Sequence, residues 1–500
     1  MKPAKKEKTG NFLRRWDILA MGIILVIALA LRLYKIDTPL ADFHSWRQVD
    51  TASVSRNFVT KGFDLLHPTY HDLSNVQSGQ ENPHGYRYVE FPLYNAMVAA
   101  LYKYIPLLPL EIYGRLVTIA FSLAVIGILY YFLYKEFGRV AAIAGSMTYA
   151  IFPFFVYFSR VVLPETTALG FTMISLLFMY LFTFGKNKTK NVVFFILSLL
   201  TFIAGILIKP TVVFYSISFI TLFILKYKWG IFKRYQPYLF FILAAIPYAL
   251  WLSFISQYPA GIPSCNTCPP GTITWLMRYV NTGGGLQDIF FKPAFFRWIF
   301  FERINNIIFG GYLTVFFVLG FFVKPKRYFI HSLLLSAMAY VFVFQGGNVQ
   351  HEYYQTLIFP ALAGLVGIGV SLFSTQNKIF ISQIVSFILV IALFVFSFVM
   401  SFYLVKGYYG VSQEQVNQGR VIRDLTPVGS KIVTDTQGDT TLLYLSEREG
   451  APSVYKSIEE LKKSGYKYFV TGKYDVIRDK KKEGKYAVVF ENNQFAIFAL

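Results

Sequence analysis

The chain has 500 residues, 55% of them hydrophobic and only 15% charged, with a formal net charge of +21 and a positive mean hydropathy. This composition excludes a string of soluble domains and points to a polytopic membrane protein whose core is buried in lipid. Lys and Arg stand in short connections between apolar runs rather than in one basic tract, so topology explains them better than nucleic-acid binding does. The partners they suit are membrane lipids with anionic headgroups and a phosphate-bearing substrate.

Basic residues at the N-terminus precede an apolar segment from Trp16 to Tyr34, and no small-residue cleavage pattern follows, so the segment reads as a retained anchor. About 20 apolar residues cross a bilayer as a helix, and that length yields about eleven candidate spans. They fall near 17–34, 113–134, 139–158, 166–185, 191–208, 210–226, 236–256, 309–323, 328–345, 355–373 and 379–404. Lys2, Lys5, Lys6, Lys8, Arg14 and Arg15 ahead of the first span put the N-terminus in the cytoplasm under the positive-inside rule. Alternate connections then hold Lys135 and Arg139; Lys186, Lys188 and Lys190; Lys226, Lys228, Lys233 and Arg234; Lys324, Lys326 and Arg327; and Lys378, as that orientation requires. The outer side receives the loop from Lys35 to about Tyr113, the Arg160–Glu165 turn, Lys209-Pro210, the segment from Gln257 to about Asn306, Gln345–Gln355 and the C-terminal hundred residues.

The first outer loop is too long for a plain connector. Ser45-x-x-Gln48 has the form of a capping box, which predicts a short helix from about Trp46 to Val59 lying along the membrane surface. Arg47 and Asp50, three apart, share a face of it. Tyr88-Val-Glu90-Phe-Pro92-Leu-Tyr94 opens a second amphipathic run, with Pro92 near its first turn and Glu90 just ahead of it.

After Leu404, Lys431–Asp435, Ser457–Ser464, Tyr466–Thr471 and Tyr486–Leu500 alternate strand and helix patterns. They predict a small α/β domain of roughly ninety residues, within the range of an independent unit. The expected architecture is therefore mainly α: a transmembrane domain over 1–404, including the outer loop 35–112, and an extracytoplasmic domain over 405–500. Two cysteines, Cys265 and Cys268, are too few for a disulfide scaffold or a four-thiolate metal site.

Ionisable side chains at membrane depth cost roughly 2.5–3.5 kcal/mol on insertion scales, so a group of them bordering helices on one side warrants a functional reading. On the outer side these are Asp42, His44, Arg47, Asp50, Arg56, Glu90, Arg160, Glu165, Lys209, His351 and Glu352, which one cleft can gather. Asp42 and Asp50 suit a general base or an acid that positions an acceptor hydroxyl, or else a solvated ion pair with Arg47 or Arg56. Arg160 and Lys209 suit neutralisation of a phosphate, or else helix capping and an interfacial lysine. Gly346 to Gln355 is denser in polar groups than a connector requires: His351, Glu352 and Tyr353 suit sugar hydroxyls or phosphate, with a headgroup-level Tyr pair as the plain alternative.

Four stretches together resemble a known family: HSWRQVDTASVSRNF after the first span, EFPLYNAMVAALYK before the second, SRVVLPE between the third and fourth, and HEYYQTLIFPALAG late in the chain. In order and spacing, over roughly residues 10–405, they are similar to bacterial glycosyltransferase family 39-like membrane proteins. These belong to the C-type glycosyltransferase superfamily, which also includes the protein O-mannosyltransferases and the lipid A aminoarabinose transferase. The resemblance implies a polyprenyl-phosphate-linked sugar donor, an acceptor glycan, lipid or protein, and transfer on the outer face of the cytoplasmic membrane. It also implies an acidic residue in the first outer loop that acts on the acceptor, Asp42 or Asp50; Arg160, Lys209 and Arg47 are the candidates for the donor phosphate. His44, Gln48, Glu90, Glu165, His351, Glu352 and Tyr353 are its substrate-binding candidates. Metal dependence varies in the superfamily, and Asp50, Glu90 and Glu165 are the candidates for a magnesium or manganese ion.

Two other readings compete. A polymerase or ligase acting on lipid-linked oligosaccharide needs similar outer-face groups. A transporter or flippase predicts polar residues along a mid-membrane path and inverted repeats, and the sequence has neither.

Overall fold

The computed structural model describes residues 15–263, 289–376 and 382–500. Cys265, Cys268, Lys378, the basic residues before Arg15 and much of the Gln257–Asn306 segment lie outside them. Among the described residues seven helices are long and apolar enough to cross a membrane. Each expected apolar run contains a helix. The first ten, in chain order, are α1 (Arg15–Arg32), α2 (Ser45–Lys61), α3 (Leu93–Tyr104), α4 (Leu110–Phe137), α5 (Arg139–Ile151), α6 (Pro153–Phe158), α7 (Glu165–Phe184), α8 (Lys188–Ile208), α9 (Ser216–Tyr227) and α10 (Tyr235–Ile255). Thr314–Phe322, Phe329–Val343, Phe359–Gln376 and Gln383–Val405 follow.

The run expected at 139–158 is two helices, because Pro153 has no N–H to give the carbonyl of Tyr149 and Phe152 turns extended. The orphaned carbonyls are taken up by Arg32, buried at the end of α1: its guanidinium donates to Ala150 O at 3.0 Å, Tyr149 O at 3.1 Å and Ser159 Oγ at 2.8 Å. An arginine at membrane depth thereby ties α1 to the α5–α6 break. The Phe359–Gln376 helix packs backbone to backbone against two neighbours. A Cβ on Gly367 would lie 2.4 Å from Ala141 O, and one on Gly369 would lie 1.8 Å from Phe316 O. Small residues permit this approach where lipid supplies no hydrophobic drive between helices.

The tail carries five strands: β1 (Lys431–Thr434), β2 (Gly450–Ala451), β3 (Tyr466–Thr471), β4 (Ala487–Glu491) and β5 (Ala496–Ala499). They form a sheet in the order β2-β1-β3-β5-β4. β1 runs parallel to β2 and β3, while β5 runs antiparallel to β3 and β4. The helices Gln413–Leu425, Thr441–Leu445 and Tyr474–Glu483 add to the one expected at Ser457–Ser464, which forms over Ile458–Lys463 behind a Ser457 capping box.

The tail is joined to the first loop. Leu73 donates to Gly450 O at 2.7 Å and Gly450 donates to His71 O at 2.9 Å, which sets the loop beside β2. Ser412 donates to Ala41 O at 2.9 Å and Phe43 donates to Tyr408 O at 3.2 Å. These contacts wrap α2 between the bundle and the tail.

Candidate active site

Helix α2 forms where expected, but it is not a surface helix. Positions 47–55 are buried without interruption, polar and apolar alike. The anticipated capping box is also absent. The N-cap is His44, held in the left-handed region at φ 58° with no side-chain cap, a strained conformation that His tolerates better than most residues. Gln48 instead donates from Nε2 to Asp42 Oδ1 at 2.7 Å and accepts from the Val162 N–H at 3.1 Å. Asp42 is thereby fixed against the turn ahead of the helix, and burial raises its carboxyl above the ordinary range despite the nearby charges of Arg115 and Arg160.

One turn into α2, Arg47 Nη2 meets Glu90 Oε1 at 2.7 Å. Lys209, at the end of α8, reaches the same oxygen at 2.7 Å and Glu165 Oε1, at the start of α7, also at 2.7 Å. Two cations and two carboxylates thus close on one another where four segments distant in sequence converge. Burial alone pushes Glu90 up, but Arg47 and Lys209 outweigh it and hold the carboxyl down at about 2.

Beside this cluster His44 Nε2 lies 2.9 Å from Glu352 Oε2, and Arg303 Nη2 lies 2.9 Å from Glu352 Oε1. Tyr353 stacks on His351 at 5.2 Å and meets His44 edge-on at 5.1 Å. Trp46 also packs against His351, with ring centres 5.5 Å apart. Burial, and then the charge of His44, lower His351 to about 4. Tyr354 carries Lys209 over its ring at 5.3 Å and so links the two groups.

Asp50 is buried, and both its oxygens are taken: Thr440 Oγ1 donates to Oδ1 at 2.5 Å and Arg87 Nη2 to Oδ2 at 2.7 Å. Its partner is therefore Arg87, not Arg47 or Arg56. Arg56 turns the other way, its guanidinium 3.7 Å from the Tyr444 ring centre, donating to Tyr444 O and pairing with Glu111 at 3.1 Å. Arg160 stands apart from the ion cluster. It is fully buried and holds the carbonyls of Tyr34 and Lys35, much as Arg115 holds those of Ile36 and Thr38 at 2.6 Å.

The structure therefore brings together His44, Arg47, Glu90, Glu165, Lys209, His351, Glu352 and Tyr353, and pairs Asp42 with Gln48 outside these contacts. Arg87, Arg303, Arg115 and Thr440 were not foreseen. Arg303 lies between Glu302 and the Asn305-Asn306 pair, ahead of the expected span at 309–323, so it lacked the apolar flanks that singled out Arg160 and Lys209; Thr440 carries no signal at all, being one of many tail hydroxyls. The three carboxylates suggested for a metal do not converge on an open centre, because each faces a cation. Among the described residues no three of His, Cys, Asp and Glu group as a metal site. The space bounded by Arg47, Asp50, Arg87 and Glu90 is about 20 Å³, room for a single water.

These elements build the fold of the C-type glycosyltransferases. The chain superposes on ArnT from Cupriavidus metallidurans bound to undecaprenyl phosphate over 97% of this chain and 98% of that one, with a TM-score of 0.62 at 13% identity. ArnT from the same organism in the apo state gives 0.60 at 14% identity over 97% of both chains. The archaeal oligosaccharyltransferase AglB from Archaeoglobus fulgidus, in complex with an inhibitory peptide and a dolichol-phosphate, gives 0.55 at 13% identity over 92% of this chain and 69% of that one. Residues 97–254 match the family described as dolichyl-phosphate-mannose-protein mannosyltransferase. A sequence search of curated proteins returns no match. The resemblance seen in the sequence is upheld in the fold, and the likeness to ArnT reaches into the tail that the sequence resemblance left out.

Proposed function

We propose that this protein is a membrane glycosyltransferase that moves a sugar from a polyprenyl-phosphate donor to an acceptor on the outer face of the cytoplasmic membrane. The observation that carries the reading is the convergence of Arg47, Lys209, Arg303 and His44 at one end of a lipid-embedded bundle with this fold. Buried cationic donors of this kind stabilise the charge that develops on a phosphate leaving group, and more strongly than they would in water. Glu90, Glu165 and Glu352 take these donors in the structure, and an entering phosphate exchanges with them. ArnT bound to undecaprenyl phosphate and AglB bound to a dolichol-phosphate support a lipid-linked donor.

Asp42 is the base in this proposal. Burial raises its carboxyl and so favours the protonated form, and among the described residues only one of its oxygens receives a side-chain donor. Asp50, with both oxygens engaged, fixes α2 to Arg87 and the tail. Direct attack by the acceptor hydroxyl breaks the bond from the anomeric carbon to phosphate, inverts that carbon and passes the hydroxyl proton to Asp42. Tyr353 and His351 are the proposed sugar contacts.

The test is transfer in proteoliposomes from a panel of polyprenyl-phosphate sugars, with acceptors drawn from membrane extracts. The wild type transfers, Asp42→Asn loses roughly 10²–10⁴-fold in rate, and Lys209→Ala raises the apparent KM for donor more than for acceptor. Full activity in Asp42→Asn removes the base assignment. A wild type inactive with every lipid-linked donor overturns the proposal.

A further inference from the structure

At the end of the bundle remote from α2, the α4–α5 connection and the 323–326 connection enclose a basin of about 540 Å³. Its charged lining is Lys135, Glu136, Arg139, Lys324 and Lys326: four cations against one carboxylate. Glu136 is buried and already answered by Arg327 at 3.2 Å and by the Tyr180 hydroxyl at 2.5 Å. Arg139 is held by Asp17 at 2.5 Å. Lys324 and Lys326 are exposed and make no ion pair among the described residues, so the basin carries an unanswered positive charge in a concave site.

Tyr134, Phe137 and Val323 add apolar surface to the lining, and next to it along the chain Val140, Phe321 and Phe322 are 39%, 49% and 76% exposed. Side chains of this kind face acyl chains, which sets the basin at the level of lipid headgroups rather than in open water. Lysines on long stems, flanked by lipid-facing aromatic residues, match an anion that arrives on a hydrocarbon tail.

We propose that this basin binds the phosphodiester headgroup of an anionic phospholipid. Lys324 and Lys326 act as point charges on the phosphate, Lys135 and Arg139 lie on the opposite wall, and the acyl chains run past Val140, Phe321 and Phe322. The same cations suit a free phosphate, and the experiment separates the two sources. Under the orientation read from the sequence, this is the cytoplasmic leaflet.

The test is native mass spectrometry of the purified full-length protein in detergent, titrated with dioleoyl phosphatidylglycerol or with dioleoyl phosphatidylcholine. A one-lipid adduct forms with phosphatidylglycerol and not with phosphatidylcholine. The double variant Lys324→Gln with Lys326→Gln weakens it at least roughly tenfold, while Lys228→Gln with Lys233→Gln, also exposed cations in an expected cytoplasmic connection, leaves it unchanged. Equal weakening in both variants, or none in either, overturns the proposal. Loss of the adduct on adding 50 mM sodium phosphate, at ionic strength matched with sodium chloride, assigns the basin to free phosphate and overturns the lipid assignment.

Discussion

At the α2 end of the bundle, Arg47, Glu90, Lys209 and Glu165 meet in pairs at 2.7 Å and hardly see solvent, whereas at the other end Lys324 and Lys326 stand exposed in an open basin. The excess positive charge of the chain is thus not spent on the buried site. Where charges leave water they come with partners, because an unpaired buried ion costs several kcal/mol. Lys324 and Lys326, which stay exposed, make no ion pair among the described residues, because solvent and lipid headgroups answer them. The net charge of +21 therefore does not come from the buried cluster, whose two cations face two carboxylates.

Breaking the paired end has the largest effect on stability. Glu90→Ala leaves Arg47 and Lys209 with Glu165 alone and lowers unfolding stability by about 3–5 kcal/mol, read as thermal melting in detergent. The folded pKa of Glu90, about 2, lies below its ordinary value of 4.5. The carboxylate's contribution is thus complete above the ordinary value and lost only as pH falls through 2, and the melting difference is the same at pH 6 and pH 7.5. Thr440→Val removes a hydrogen bond to buried Asp50 and costs about 2 kcal/mol. Hydrogen exchange reports it as faster opening of α2 together with the tail.

A smaller effect has the opposite sign. Burial raises Asp72 to about 6, against the hydrogen bonds from Ser74. Its folded pKa lies above the ordinary 3.8, so its contribution is complete below that value and lost as pH rises through 6. Asp72→Asn keeps an acceptor for Ser74 and stabilises by about 1–2 kcal/mol at pH 7.5, an advantage that fades towards pH 4.5. An equal shift at both pH values removes the buried-carboxylate account. At the solvated end, Lys324→Gln with Lys326→Gln moves unfolding stability by less than about 0.5 kcal/mol. A large loss there would show that these lysines are structural and erase the contrast between the two ends.

The sequence by itself located the apolar helices and most of the tail's strands, since apolar length and two-residue alternation are local signals. It also marked Arg47, Glu90, Glu165, Lys209, His351 and Glu352, because an ionisable group beside an apolar run stands out. Tertiary structure alone decided the pairings. Asp50 answers Arg87 and Thr440, Gln48 serves Asp42 rather than capping its helix, and Arg160 grips backbone carbonyls instead of joining the ion cluster. No spacing rule anticipates these contacts, because partners 37 and 390 positions apart along the chain meet only once the bundle and the tail have closed around α2.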